Sequence, residues 1–204
     1  MEIFFSVIIG YALGCFSPSA ILAKIKNVDL RSQGTNNMGA TNATIVFGKG
    51  AGAIVMLLDM LKAYFAYEIC QALFPSLSCA GLIAGLFAIV GHVFPVTMKF
   101  HGGKGLASFA GVVLARNPLH FLALLLACLV LMLLVNYSFV VPFSGAIGFC
   151  ALESISSASI SVFILTFLAG AIIVYKHFGN AMAAFRREDI TVREFIKQHL
   201  FKHQ

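Results

Sequence analysis

Charged side chains are scarce in this sequence. Asp, Glu, Lys and Arg make up 11% of the 204 residues, and 60% of the residues are hydrophobic. A soluble domain of this length needs a surface with far more charge. Apolar runs of about 18 residues or more, long enough to cross a bilayer core of roughly 30 Å, occur several times. The composition therefore excludes a soluble protein and predicts an all-α integral membrane protein.

Several functional signatures are also missing. Tryptophan is absent, so Tyr and Phe must supply any aromatic belt. The five cysteines are dispersed without a CxxC pair, a pattern typical of small buried hydrophobic residues. The chain lacks a GxSxG elbow, a Walker A loop, a complete GxGxxG motif and a basic–aromatic platform for nucleic acid. We therefore expect no cofactor, no metal site and no nucleic-acid partner.

The long apolar runs predict the membrane spans. Approximately, they cover residues 3–23, 51–74, 77–97, 118–135 and 155–175. Two shorter runs, near 105–116 and 137–152, are compatible with short helices or with re-entrant segments. The sequence thus predicts one polytopic domain over residues 1–204, with five long spans and two short segments. Five crossings and seven crossings fit equally well.

The distribution of positive charge predicts the orientation. Lys and Arg follow the first and third long runs and recur from Lys176 onward, whereas residues 75–78 carry no charge. By the positive-inside rule, the N-terminus is outside and the C-terminus is cytosolic. Residues 176–204 are predicted to form a basic amphipathic tail near the membrane surface. Its apolar residues at helical spacing are Ile190, Phe195, Ile196 and Leu200.

A polar stretch, DLRSQGTNNMGATNATIVFGKG, occupies residues 29–50 between the first two long runs. Its glycines, including Gly34 and Gly39, permit close approach of the backbone to a ligand. Its amide and hydroxyl side chains, including Asn37, Thr41 and Asn42, add donors. Such a stretch is compatible with an ordinary loop and with an anion-binding concavity.

A second polar stretch overlaps the end of the third long run, with the sequence GHVFPVTMKFHGGKGLAS over residues 91–108. Gly102 and Gly103 precede Lys104, just before a predicted helix. A lysine in this position offers its ammonium, free N–H groups and the helix dipole to one anion. His92, near the end of the span, is interpreted either as a packed histidine or as a site residue.

Two further pairs lie within or beside the spans. His177 and Asn180, three residues apart, are predicted to share a helix face. Asp59 and Lys62 lie inside the second long run at the same spacing, and charged groups in a membrane segment need partners. We predict that they form a buried pair. The polar stretches together favour a cytosolic pocket for a phosphate or a phosphate ester.

The motifs DLR (29–31), GTNNMGATN (34–42), LDMLK (58–62), GHVFP (91–95) and FHGGKG (100–105) occur in an order that resembles a known family. It is the acyl-phosphate:glycerol-3-phosphate acyltransferases, bacterial membrane enzymes of phospholipid biosynthesis. The resemblance covers nearly the whole chain. It implies a seven-helix bundle in the bacterial inner membrane, with the active site facing the cytoplasm. The implied reaction transfers an acyl group from acyl phosphate to the sn-1 hydroxyl of glycerol 3-phosphate, giving lysophosphatidic acid and phosphate.

The resemblance also implies the site residues. Those carried over as catalytic are Lys104, His92 and Asn180. Those carried over as substrate-binding or phosphate-binding are Gly34, Thr35, Asn37, Gly39, Thr41, Asn42, Gly102, Gly103 and His177. Acyl phosphate is already activated, so positioning and charge neutralisation can account for much of the rate. Neither a metal nor a covalent acyl-enzyme is needed.

Several positions depart from the family pattern. Thr35, Asn36, Ile45, Ala183 and Arg187 stand where the family has Ser, Gly, Arg, Arg and Gly, and residues 136–145 lack an expected Arg. The arginine at position 45 binds phosphate in the family, and losing a charge-assisted contact typically costs about 1.5–3 kcal/mol. A second hypothesis is therefore a non-catalytic or transport paralogue that binds a phosphorylated lipid precursor.

Overall fold

The computed structural model of the chain describes residues 1–199, and within them the protein is helical without β-strands. The helices are α1 (Glu2–Cys15), α2 (Pro18–Ile25), α3 (Ala40–Phe47), α4 (Lys49–Leu73), α5 (Ala80–Val93), α6 (Leu106–Arg116), α7 (Pro118–Val135), α8 (Val140–Ser156), α9 (Ile160–Phe185) and α10 (Val192–His199), with a 3₁₀ turn at Val96–Met98. They form two compact units, Met1–Asn117 and Pro118–Gln204. The predicted all-α class is confirmed.

Four stretches within residues 1–199 are long and apolar enough to cross a membrane. They are Glu2–Ile25, Ala80–Met98, Pro118–Val135 and Ile160–Phe185, and they overlap four of the five predicted long runs. The remaining run forms the 25-residue helix α4, whose apolar sequence is interrupted by Asp59 and Lys62. The two shorter runs are also helical, as α6 and α8.

The last predicted run, 155–175, was wrong at both ends. Helix α8 continues to Ser156, and α9 runs from Ile160 to Phe185. The serine-rich break between them fits this boundary, because serine side chains compete with the helix for backbone groups; Ser157 Oγ accepts a hydrogen bond from the Ser159 N–H at 3.3 Å. No proline interrupts the polar end of α9, and the helix continues past Lys176 to Phe185.

Helix α9 ends in a left-handed turn at Arg187. The N–H groups of Arg187 and Glu188 donate to the carbonyls of Ala184 and Ala183, at 3.0 and 2.9 Å. This pattern is the Schellman motif, whose turn residue is usually glycine. Arg187 has a φ of 59°, a conformation that costs most residues about 1–2 kcal/mol. The geometry explains why the family pattern has glycine here.

The tail forms helix α10, as predicted for the part that the structure describes. Thr191 and Glu194 form a reciprocal capping box: Thr191 N–H donates to Glu194 Oε2 at 2.8 Å, and Glu194 N–H donates to Thr191 Oγ1 at 3.3 Å. The bonds from the Thr191 backbone and hydroxyl hold the pKa of Glu194 below its ordinary value. Asn136 accepts hydrogen bonds from the first two N–H groups of the helix. Leu200 lies outside the described residues.

In the first unit, α1 and α5 pack closely through small residues. A Cβ atom at Gly10 or Gly14 would overlap the backbone of Ala84 or Ala88 on α5. A Cβ atom at Gly91 would overlap a backbone oxygen of α1 in the same way. Small residues allow helix backbones in membranes to approach each other. Gly91, the first residue of the GHVFP motif, therefore has a packing role.

Candidate active site

The GATN segment, which belongs to the first polar stretch, forms the start of helix α3. Gly39 is the N-cap residue and has no side-chain capping bond. The Ala43 N–H donates to the Gly39 carbonyl at 3.0 Å, so the N–H groups of residues 40–42 precede the hydrogen-bonding ladder of the helix. Exposed Thr41 lies in this first turn. A helix N-terminus of this kind attracts anions.

Asn42 shapes the loop that precedes α3. Its side chain is fully buried, its Oδ1 accepts from the Thr35 N–H at 2.8 Å, and its Nδ2 donates to the Leu30 carbonyl at 2.8 Å. Gly34 has a φ of +59°, and a Cβ atom there would overlap Asn42 Oδ1. Leu30 and Met38 anchor the loop in an apolar cluster. The observed hydrogen bonds of the Asn42 side chain thus go to the loop itself.

The GGKG turn rests on the C-terminal end of α5. The N–H groups of Gly102 and Gly103 donate to the carbonyls of Val93 and His92, both at 3.1 Å. A Cβ atom at Gly102 would overlap the His92 carbonyl oxygen, and one at Gly103 would overlap His92 Nε2. The GHVFP and GGKG motifs therefore fit together, and a side chain at either glycine would separate them.

Helix α6 starts directly after this turn. Gly105 is its N-cap residue, with a φ of 84° and no side-chain capping bond. Lys104, half-buried, immediately precedes it. The combination of a lysine and an N-terminus without a side-chain cap, predicted from the sequence, is therefore present as local structure.

The two polar stretches meet between Met38 and Gly103. A Cβ atom at Gly103 would lie 3.0 Å from the Met38 carbonyl oxygen. Arg31 adds a second link, because its Nη2 donates to the carbonyls of Met98 and His101 at 3.2 and 3.1 Å. Helices α3 and α6 each begin within three residues of the Met38–Gly103 contact. The structure thus brings together two regions that the sequence separates by some sixty residues.

A buried ionic cluster lies next to this contact, because its member His92 packs against Gly103. Asp59, Lys62 and His92 have 2%, 6% and 7% of their surface exposed. Lys62 Nζ is 2.7 Å from Asp59 Oδ1 and 2.9 Å from His92 Nδ1, and His92 Nδ1 is 3.2 Å from Asp59 Oδ1. The predicted Asp59–Lys62 pair is confirmed. The third member, His92, was missed, although three ionisable residues in apolar runs are a signal that they need one another.

Lys62 also donates a hydrogen bond to the backbone at the break between α1 and α2. Proline at the first position of α2 starts a new helix, and the Ser17 hydroxyl caps it by accepting from the Ala20 N–H at 3.3 Å. The Phe16 carbonyl at this break accepts a hydrogen bond from Lys62 Nζ at 2.6 Å. A carbonyl inside a membrane protein needs such a donor.

The predicted pair of His177 and Asn180 belongs to the second unit. His177 and Asn180 both lie on α9, as predicted, and share a face through their spacing of three residues. His177 is buried, and its Nδ1 is 2.9 Å from the Ile173 carbonyl oxygen. The sequence analysis missed one pair in this unit: His120 Nδ1 contacts Glu153 Oε1 at 2.8 Å, with Glu153 2% exposed.

Two departures from the family pattern have structural consequences in the first unit. Asn36 has a φ of 55°, and asparagine tolerates this left-handed conformation better than most residues, so it is compatible with a glycine position. Ile45 lies on α3, and its Cγ2 methyl would be 3.3 Å from a Cβ atom at Gly34. An apolar side chain therefore lies beside the loop where the family has a cation.

The fold and this geometry define a class: a helical integral membrane protein whose first unit brings a glycine-rich, lysine-bearing turn next to the N-termini of two helices. Within residues 1–199, no three His, Cys, Asp or Glu side chains are placed to hold a metal ion.

Comparisons with known proteins identify the family. Residues 4–186 match the family described as Glycerol-3-phosphate acyltransferase. Two relatives with that name are from Aquifex aeolicus (strain VF5), 34% identical over 180 residues, and Staphylococcus aureus (strain bovine RF122 / ET3-1), 32% identical over 206 residues. The matches cover 88% and 95% of this chain, and 94% and 99% of the relatives. The chain belongs to the glycerol-3-phosphate acyltransferase family.

Two solved structures have the same fold as this chain and belong to a protein of the same family. The crystal structure of PlsY (YgiH), an integral membrane glycerol 3-phosphate acyltransferase, matches this fold in two forms. The glycerol 3-phosphate form gives a TM-score of 0.87 at 32% identity, covering 94% of this chain and 96% of that chain. The lysophosphatidic acid form gives a TM-score of 0.85 at 31% identity, covering 94% and 95%.

Substitution of the site glycines by alanine tests this geometry. Gly34→Ala and Gly103→Ala place a methyl group on Asn42 Oδ1 and on His92 Nε2, so each should lower acyltransferase activity at least tenfold. Gly50→Ala is the matched control, because a Cβ atom there meets nothing within 4 Å; it should retain activity. Initial rates of purified variants measure the effect. Full activity in both site variants would contradict the described contacts.

Proposed function

We propose that this chain transfers an acyl group from acyl phosphate to the sn-1 hydroxyl of glycerol 3-phosphate, giving lysophosphatidic acid and phosphate. The observation that supports it best is the Met38–Gly103 contact, beside which two glycine-capped helices begin and Lys104 lies. Both reactants carry phosphate, and positive helix ends with a lysine suit such groups. The names and ligand forms of the relatives support the same substrates.

The chemistry needs little beyond positioning. The sn-1 oxygen attacks the acyl carbonyl carbon, a new C–O ester bond forms, and the bond between that carbon and the phosphate oxygen breaks. Phosphate leaves with the bonding electron pair, and the hydroxyl proton ends on that phosphate. Fixed donors and cations that stabilise the developing charge lower the barrier. Lys104 and the N–H groups at the start of α3 and α6 are our candidates for this role.

The other site residues have proposed roles of two kinds. In the first unit, His92 and Lys104 have catalytic roles, and the family resemblance gives the same kind of role to Asn180 on α9 of the second unit. Phosphate contacts come from backbone or side chains of Gly34, Thr35, Asn37, Gly39, Thr41, Asn42, Gly102, Gly103 and His177. For Asn42 the hydrogen bonds to Leu30 and to the Thr35 N–H favour an indirect contribution, in which it holds the loop in its binding shape.

The membrane arrangement is part of the same proposal. We infer a seven-helix bundle in the bacterial inner membrane, with the N-terminus outside and the C-terminus cytosolic. Lysines at the end of α2 and in the loop before α6 mark the cytosolic side. The site of the first unit then faces the cytoplasm and draws glycerol 3-phosphate from it.

The transport hypothesis is not favoured. The relatives described above are named as acyltransferases. The Asp59–Lys62 pair was one motivation for that hypothesis. Lys62 contacts Asp59, His92 and the Phe16 carbonyl, so the polar groups of the pair are bound within the protein. This arrangement indicates a fixed structural element.

The direct test supplies both substrates to the protein in lipid. We expect lysophosphatidic acid and phosphate in equal amounts, and in membrane vesicles we expect access for glycerol 3-phosphate only from the cytosolic face.

Lys104→Ala should lower kcat/KM by about ten- to a hundredfold, because a charge-assisted contact contributes about 1.5–3 kcal/mol. The control is Lys26→Ala, which removes an exposed charge at the end of α2. Absence of product with native protein would overturn the proposal.

Restoring the missing cation tests the departure at position 45. Ile45→Arg should lower the KM for glycerol 3-phosphate by about tenfold, since it adds one charge-assisted phosphate contact. Ile45→Met, which is apolar and flexible, is the matched control and should leave KM unchanged. Steady-state kinetics at fixed acyl phosphate measure the change. An unchanged KM in a folded Ile45→Arg variant would show that position 45 does not contact this substrate.

A further inference from the structure

The ammonium group of Lys62 has as many acceptors as it has protons. An ammonium carries three N–H donors and no acceptor. Lys62 Nζ lies 2.6 Å from the Phe16 carbonyl oxygen, 2.7 Å from Asp59 Oδ1 and 2.9 Å from His92 Nδ1. Each distance is within the usual range for a hydrogen bond. The three donors of Lys62 are therefore directed to these three atoms.

This arrangement requires His92 Nδ1 to accept. A proton on Nδ1 would face the ammonium across 2.9 Å, with donor against donor. The competing bond, from a protonated Nδ1 to Asp59 Oδ1, would be longer, at 3.2 Å. An imidazole whose Nδ1 accepts a hydrogen bond carries no proton there, so the ring is neutral and its proton is on Nε2.

The Nε2 atom of His92 lies against Gly103 of the GGKG turn. A Cβ atom at Gly103 would overlap Nε2, and the same Cβ would lie 3.0 Å from the Met38 carbonyl oxygen. Nε2 is thus at the contact between the GATN and GGKG segments, next to Lys104. The 7% of His92 that remains exposed shows that the residue is not fully enclosed.

We propose that Asp59 and Lys62 are positioning residues that fix His92 as the neutral Nε2–H tautomer, so that His92 donates a hydrogen bond to a substrate oxygen. A nitrogen that already carries a proton cannot accept the proton of the attacking hydroxyl, so His92 is not the general base. This role rests on the proposed function, because it presumes that a phosphorylated substrate occupies the site. The tautomer itself is independent of that function.

Nitrogen NMR of the protein labelled with ¹⁵N-histidine tests the tautomer directly, since protonated and unprotonated ring nitrogens have distinct shifts and couplings. The signal of His92 is identified by its loss in His92→Gln. We expect a neutral ring protonated at Nε2 near pH 7. A ring protonated at Nδ1, or at both nitrogens, would overturn the proposal.

Lys62→Met should convert the ring of His92 to a mixture of tautomers, and an unchanged ring in this variant would overturn the role of Lys62. If this variant does not fold, the native spectrum decides.

Two amide substitutions test the donor role. The Gln side-chain amide can place an N–H near the position of Nε2, whereas the shorter Asn amide can reproduce only the position of Nδ1. We expect His92→Gln to retain kcat within about tenfold and His92→Asn to lose at least ten times more, with similar KM values. Equal losses would overturn the donor role. Inactivity of native protein with an Nε2–H ring would instead locate the failure in the proposed function.

Discussion

The first unit depends on the hydrogen bonds of the Lys62 ammonium, which is buried inside a membrane protein. A charge in this environment is costly unless all its bonds are satisfied. Lys62 meets this requirement by joining the break after α1, the carboxylate of Asp59 on its own helix, and His92 on α5. One residue thus connects the end of α1, its own helix α4, and α5.

The polar site is built on that support. The ring of His92 lies against Gly103 so closely that only a glycine fits. The GGKG turn therefore takes its position from α5, and it fixes the start of α6 with Lys104 before it. The loop before α3 is held separately by Asn42. Donors held in place before substrate arrives do not need to reorganise during the reaction, which is the main source of electrostatic catalysis. Under the proposed function, this preorganisation is the reason for a charged cluster within the apolar helices.

Local patterns predicted much of this structure, and contacts between distant segments could not be predicted. Apolar runs gave the helices because length and hydropathy are local properties, and the Asp59–Lys62 spacing gave the ion pair. The start of α3 was not predicted, because Gly39 and Asn42 also suit turns and only packing decides between a turn and a helix start. The place of His92 in the cluster depends on how α5 packs against α4. No spacing along the chain encodes that contact.

A double-mutant cycle on Asp59 and Lys62 tests the central claim most directly. The measured quantity is the free energy of unfolding in mixed micelles for Asp59→Leu, Lys62→Met and the double variant. Removing one partner leaves a buried charge alone and should cost about 3–5 kcal/mol, whereas removing both should cost clearly less than the sum of the single losses. Single losses that are small, or that add, would show that this buried contact does not support the structure.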